Sequence, residues 1–378
     1  MVTPPAVGRT LRVLLVTPDY PPAHGGIQRL LHNITSAMPN TEVRVITPQT
    51  DGSEAFDNDA GQVVYRVPNP FSRALLRNAA FNASGLLAPR KWRPDVVLNG
   101  HVVSGPVAAM IAHRYGVPTV LYTYGKEIAG RPGMAAWSLK RSASAIAVSE
   151  YTRDQLRTAS GRGIHSPIHV INPGVQIPAP HTADRADRPT ILTIARLRDW
   201  YKGHDMILEA LPRVRAAVPT VRWVVVGDGR IRSELEARAR QLGLDDAVEF
   251  VGGVGDDLKN ELLATSHVFA MPSRYPKNEV GGEGFPVVYL EAAAWGLPAV
   301  AGNVGGPAEA VLNEVTGLTV DPESPQEIGD ALIRLLSDTE FAARLGRSAR
   351  ERTVAQFTWQ AVASQLESVL RLAAGGKK

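Results

Sequence analysis

Short apolar runs of strand length alternate with stretches in which apolar residues recur at helical spacing along most of the chain. This alternation predicts βα units around parallel sheets, because strands covered on both faces read as near-continuous apolar runs. In the first half the predicted strands are Arg12 to Thr17, Glu42 to Thr47, Val63 to Val67, Asp95 to Leu98, Thr119 to Tyr122, Ala145 to Ser149 and His169 to Ile171. The second half repeats the scheme with Thr190 to Ala195, Val221 to Gly227, Val248 to Val251, His267 to Met271, Ala299 to Gly302 and Gly317 to Val320. Residues 172–184, rich in proline and without periodicity, read as the linker. The fold class is therefore α/β, with one doubly wound, Rossmann-like domain over residues 1–178 and another over 186–356. A terminal amphipathic helix over 357–378, with Thr358 as its cap, is expected to pack back on the first domain. Two such domains joined once are expected to face a central cleft at the carboxyl ends of both sheets.

Composition narrows the class. A length of 378 residues suits two domains with separate cores, and 44% hydrophobic with 21% charged residues excludes a disordered chain. The best apolar run, Val102 to Ala112, is broken by Ser104, Gly105 and Pro106, so no membrane span is expected. The segment before Pro18 is too short for a secretory core, which points to the cytoplasm. With no cysteine in the chain, disulfides, thiolate metal sites and a cysteine nucleophile are excluded. Residues 1–180 hold 18 Lys+Arg and 10 Asp+Glu, a net of +8, against −4 for the rest, so the first half is expected to face an anionic partner. No nucleic-acid partner is expected.

Three groups of residues carry candidate chemistry. In Gly281-Gly-Glu-Gly-Phe-Pro-Val-Val-Tyr-Leu-Glu, Pro286 suits the first helical position, and the amides of the opening turn point out of the helix toward an anion. Glu283 and Glu291 bracket that phosphate-sized site. In Arg196-Leu-Arg-Asp-Trp-Tyr-Lys202, two cations follow a strand end, arginine offering a fork and lysine a point charge to a diphosphate. The loop after the first strand carries Asp19, Gly25 and Gly26; it lacks G-x-G-x-x-G, which argues against a dinucleotide enzyme.

These groups, in this order and over nearly the whole chain, resemble glycosyltransferase family 4, the retaining enzymes of the GT-B fold. The E-x7-E pattern from Glu283 to Glu291, the Arg196/Lys202 pair, the glycine pair and the terminal helix carry the resemblance. The stretches 268–274 and 301–309 are especially similar to actinobacterial phosphatidylinositol mannosyltransferases, which use GDP-mannose. The resemblance implies that Arg196 and Lys202 hold the donor diphosphate and that Glu283 faces the transferred sugar. The amides of Gly284, Phe285 and Val287, around Pro286, would lie near its hydroxyls and the phosphate. Glu291 would accept from the ribose, Val251 and Gly252 would lie against the base, and Asp19, Gly25 and Gly26 would approach donor or acceptor. In Tyr122-Thr-Tyr-Gly-Lys-Glu, Tyr124 stands where those relatives carry a sugar-contacting histidine, with Glu127 beside it; His101 is a further candidate for the sugar.

The reaction so implied moves a hexose, in the first instance mannose from GDP-mannose, onto a hydroxyl of a lipid-linked or polar glycan acceptor. A UDP-sugar transferase acting on a soluble acceptor and a non-catalytic sugar binder are the alternatives. GT-B enzymes neutralise the diphosphate with cations and helix ends, so no metal or other cofactor is expected; Asp57-Asn-Asp has metal-binding spacing but reads as a polar loop. Residues 71–93, where Phe71, Leu75, Phe81 and Leu86 mingle with Arg73, Arg77, Arg90, Lys91 and Arg93, are a candidate for peripheral contact with anionic lipid at the inner face of the plasma membrane.

Overall fold

The computed structural model describes residues 9–59, 61–68, 74–84, 91–161, 166–179, 185–276 and 281–376. The chain forms two compact units, one of Met1–Gly174 with Trp359–Lys378 and one of Val175–Thr358. In the first unit the order is β1 (Leu11–Val16), α1 (Gly26–Ser36), β2 (Thr41–Pro48), α2 (Ser53–Asp59), β3 (Val63–Val67), α3 (Ala74–Ser84), β4 (Val96–Asn99), α4 (Gly105–Tyr115), β5 (Thr119–Thr123), α5 (Lys126–Gly130), α6 (Pro132–Lys140), β6 (Ser144–Ala147), α7 (Glu150–Ser160) and β7 (Ile168–Val170). The second unit runs β8 (Thr190–Ile194), α8 (His204–Ala217), β9 (Arg222–Val226), α9 (Arg232–Gln241), β10 (Val248–Gly252), α10 (Asp256–Thr265), β11 (Val268–Met271), α11 (Val287–Ala294), β12 (Ala299–Gly302), α12 (Gly305–Ala310), β13 (Gly317–Val320), α13 (Pro325–Ser337) and α14 (Thr339–Gln356). Helix α15 (Trp359–Gly375) returns to the first unit.

Among the described residues, the first sheet has the order β3-β2-β1-β4-β5-β6-β7 and the second β10-β9-β8-β11-β12-β13, with every pairing parallel. Strand order reverses between β1 and β4 and again between β8 and β11. At such a switch point the loops leave in opposite directions and open a crevice beyond the strand ends, where ligands bind.

Burial explains why the apolar runs became strands. Val13 to Val16 and Val96 to Leu98 are wholly covered, as central parallel strands require. In the second unit Trp223 and Val225 of β9 pack with Ile207, Leu211 and Val214 of α8 and with Ile328, Leu332 and Leu335 of α13. Each such side chain contributes about 1.5–3 kcal/mol by leaving water. Helix α15 buries Val362, Ala363, Leu366, Val369 and Leu370 on one face, docks on α1 and against β4 and β5, and is tied down by Arg371, which donates to the carbonyl of Asn40 at 2.8 Å.

The predicted strands occur with ends shifted by a residue or two. The largest shift is in β6, which stops at Ala147 because Ser149 leaves the strand to cap α7, its Oγ accepting from the Thr152 amide at 3.0 Å. Asp57-Asn-Asp is not a loop: it lies in α2, and Asp57 is taken up in a bidentate pair with Arg66 at 2.7 and 3.0 Å. Of the proposed lipid-facing stretch, Phe71, Arg73, Leu86 and Arg90 lie outside the described residues, Phe81 is buried in the core, and Arg93 donates to the Tyr115 carbonyl at 2.7 Å. Among the described residues no helix is long and apolar enough to cross a membrane.

Candidate active site

The second unit places Arg196, Lys202 and Glu283 on the two loops of its switch point. After β8 the chain turns through a single 3-10 turn, Trp200–Lys202, so the six positions from Arg196 to Lys202 are taken up as a compact bulge. Gly203 ends that turn at φ +83°, and a Cβ there would stand 2.3 Å from the carbonyl oxygen of Pro272, so glycine is required by conformation and space alike. Arg196 is exposed. Lys202 forms an ion pair with Glu283, each side chain 15% exposed, which joins the loop after β8 to the loop before α11. Beneath them His204 is fully buried with neither ring nitrogen hydrogen-bonded, and burial, aided by the charge of Lys202, lowers its pKa to about 3. The imidazole there is neutral.

Helix α11 begins at Val287, so Pro286 is the residue before the first turn rather than the first helical position; its extended ψ of 103° turns the chain into the helix. Gly284, Phe285 and Pro286 are buried, and Phe285 packs on Phe357 with ring centroids 6.2 Å apart. The Glu283 carbonyl accepts from the Gly306 amide at 3.2 Å, and a Cβ on Gly306 would lie 2.1 Å from the Gly284 oxygen. Glu291, one turn into α11, accepts from Lys259 of α10 at 3.1 Å. Burial works against the Lys259 ammonium, but Glu291 and Asp256 hold its pKa above the ordinary lysine value. At the end of β10, Gly252 has φ +76° and its carbonyl accepts from the Gly227 amide at 2.7 Å; Val251 beside it is half-buried.

In the first unit the corresponding residues follow β1 and β4. Gly25 caps α1 and Gly26 opens it, and the Gln28 side chain bends back to donate to Asp19 at 2.9 Å. Asp19, Gln28, Arg77, His101 and Arg131 line a cavity of about 390 Å³. Burial raises the Asp19 pKa and the charge of Arg77 draws it back down. The Nδ1 of His101 accepts from the Val103 amide at 3.1 Å, which assigns the proton of the neutral ring to Nε2. Burial and the charge of Arg131 lower the His101 pKa to about 4.

Tyr124 and Glu127, expected at the sugar or acceptor, lie in the loop after β5 with their polar atoms engaged by backbone. Tyr124 is buried, stacked on Tyr122 with centroids 5.2 Å apart, and its hydroxyl donates to the Gly100 carbonyl at 2.8 Å. Glu127 is buried as well, accepting from the amides of Tyr124 at 2.6 Å and Gly125 at 3.3 Å. Burial raises its pKa, against the pull of those amides. Glu127 holds the loop after β5 together, and Tyr124 ties it to the loop after β4.

Known proteins match this arrangement in both units. Residues 24–177 match the family described as Glycosyltransferase Family 4 and residues 180–352 that described as Glycosyl transferases group 1. A GDP-mannose-dependent alpha-(1-6)-phosphatidylinositol monomannoside mannosyltransferase of Mycobacterium tuberculosis is 34% identical over 95% of this chain and 98% of its own length. The chain is a family 4 glycosyltransferase. A Mycolicibacterium smegmatis protein of the same name is 32% identical to the transferase, over 95% of this chain and 98% of its own. Among solved structures, sucrose-phosphate synthase from Thermosynechococcus elongatus superposes with a TM-score of 0.79 at 21% identity, over 97% of this chain and 100% of that one. Anabaena HepE in complex with UDP and glucose gives 0.77 at 20% identity, over 96% and 100%, and these likenesses establish the GT-B fold.

The geometry adds residues of the transferase that the sequence reading passed over. Lys259 is 32 positions from Glu291, and nothing in α10 singles it out from other surface lysines. Gly306 lies in Gly305-Gly306-Pro307, and that glycine pair is the available signal for a close backbone approach. Gln28, in α1 after β1, and Arg131, between α5 and α6 after β5, line one cavity because β1 and β5 flank β4 in the sheet. Among the described residues no three His, Asp or Glu side chains converge as a metal site would require.

Proposed function

We propose that this glycosyltransferase moves mannose from GDP-mannose, with retention, onto a hydroxyl of a lipid-linked glycan acceptor. The observation that carries the reading is the contact of Lys202 with Glu283 across one switch point, with Arg196 exposed on the same loop. Two cations and the first turn of α11 suit a diphosphate, and a carboxylate in contact with one of them suits the hydroxyls of the attached sugar. The guanosine and mannose parts rest on the printed names of relatives aligned over nearly their whole length.

The bond from the anomeric carbon to the diphosphate breaks as the acceptor oxygen adds from the same face. The departing phosphate oxygen takes the acceptor proton, so no protein nucleophile is needed. Arg196 and Lys202 stabilise the charge that grows on the diphosphate. The cavity around Asp19, His101, Arg77 and Arg131 suits an acceptor that presents hydroxyls and a negative charge. The lipid end of such an acceptor would bring the basic first half to an anionic membrane surface, as a peripheral contact.

A donor screen with GDP-, UDP- and ADP-sugars, by turnover and thermal shift, tests this. GDP-mannose should be preferred, and at a hundredfold excess over Kd it should stabilise by about 2.7 kcal/mol. Preference for a UDP-sugar would overturn the donor assignment and leave the family intact. Turnover should persist in excess EDTA; a loss restored by Mg²⁺ or Mn²⁺ would overturn metal independence.

A further inference from the structure

The loop after β11 and the turn after β8 are bound together at a point that the reaction scheme above does not use. Arg274 forms a bidentate pair with Asp205 in the first turn of α8, at 3.0 and 2.6 Å, with side chains only 10% and 25% exposed. The Arg274 amide donates to the Tyr201 carbonyl at 2.8 Å. Gly203 meets the Pro272 carbonyl closely enough to exclude any side chain. Three ties therefore fall within residues 201–205 on one side and 272–274 on the other, and Lys202 sits among them.

We propose that Arg274 is a positioning residue of the transfer reaction: its guanidinium pair with Asp205, beside the backbone tie to Tyr201, fixes the turn that presents Lys202, and it acts on the donor only through that lysine. Both terminal nitrogens of its guanidinium face the Asp205 carboxylate, so its charge is compensated locally and its contribution is geometric. A planar fork sets distance and orientation together, which a lysine at the same place would not. Asp205 is well suited as the anchor, because the first turn of a helix favours a carboxylate. Holding Lys202 in place matters because a displacement of roughly 1 Å at a charge-stabilising group costs on the order of a hundredfold in rate.

The inference rests on the reading of Lys202 as a diphosphate ligand, and one experiment separates the two. Transfer kcat, donor KM and Tm are measured for Arg274→Gln, Arg274→Lys, Asp205→Asn, Lys202→Ala and the Arg274→Gln/Lys202→Ala double variant. Arg274→Gln should lower kcat by roughly ten- to a hundredfold with a far smaller change in KM. Asp205→Asn should match it, Arg274→Lys should fall between it and wild type, and the double variant should be no slower than Lys202→Ala alone. Wild-type kcat in Arg274→Gln, or effects that multiply in the double variant, would overturn the positioning role while the Lys202 reading stands. Unaltered transfer in Lys202→Ala would remove both. If Arg274→Gln does not fold, Asp205→Asn breaks the same pair and decides by the same comparison.

Discussion

The two units share a topology and differ in how they hold their candidate residues. At the β8/β11 switch point charge is held by charge: Lys202 with Glu283, Arg274 with Asp205, and Lys259 with Glu291 close by. Around the β1/β4 switch point His101 is held by the Val103 amide and Asp19 by the Gln28 side chain, while Arg77 and Arg131 bring charge to the same cavity. A site that must neutralise a leaving diphosphate needs cations at fixed places, and their carboxylate partners keep them ordered and soluble before the donor arrives. A site that receives a hydroxyl needs single, oriented hydrogen bonds. In the proposed reaction one sheet pattern would serve two electrostatic tasks through the loops beyond its strands.

The sharpest way to break that contrast is to compare Lys202→Ala with His101→Asn. In the proposed reaction, removing Lys202 withdraws a charge that faces the leaving group, so kcat should fall by about 10²–10³ with the fold retained. Asparagine at 101 keeps the cap on the Val103 amide and removes only one neutral donor, worth about 0.5–1.5 kcal/mol, so kcat should fall by roughly tenfold or less. Steady-state kinetics on both variants decides the matter. Comparable losses would mean that the first unit also works by charge.

A smaller effect is expected at Glu291. Its proposed ribose contacts act on ground and transition states alike, so Glu291→Ala should weaken nucleoside diphosphate binding and leave kcat nearly unchanged. A hydrogen bond to a charged group contributes about 1.5–3 kcal/mol, or roughly ten- to a hundredfold in Kd. Calorimetry with GDP measures it. An unchanged Kd would remove Glu291 from the nucleotide site, and a fall in kcat alone would move it to the chemistry.

The strands and the second unit's charged residues were legible because each is local. Apolar runs report parallel strands directly, and Arg196, Lys202, Glu283 and Glu291 lie in two short segments whose order is itself a pattern. What was not legible depends on tertiary placement. That the Tyr124 hydroxyl meets the carbonyl of Gly100, 24 residues away, and that Asp57 pairs with Arg66 on β3, are set by the fold and not by local spacing. Arg274 looks like an ordinary loop arginine until β11 lies beside β8 and brings it to Asp205, 69 residues distant. Buried polar side chains are satisfied by whichever backbone the fold brings near, and no local spacing encodes that.

The smallest effect at neutral pH, and the last point of comparison, concerns the buried histidines. His204 in the second unit has its pKa lowered to about 3 and His101 in the first to about 4, both by burial. In the unfolded chain a histidine titrates near about 6.5, so as pH falls below that value the unfolded state binds the proton first and stability declines. In the first unit Asp19 and Glu127, whose pKa values are raised by burial, act with the opposite sign and offset part of the decline. His32 of the first unit and His267 of the second, also lowered by burial, act in the same direction as His204 and His101. His204→Met, of similar volume and without the two unpartnered ring nitrogens, should be at least as stable as wild type at pH 7. Between pH 6.5 and 4 it should lose stability more slowly, the difference approaching about 1.4 kcal/mol per pH unit. Urea midpoints measured across that range test this, and parallel curves for the two proteins would mean that His204 finds a proton-compatible environment in the folded state.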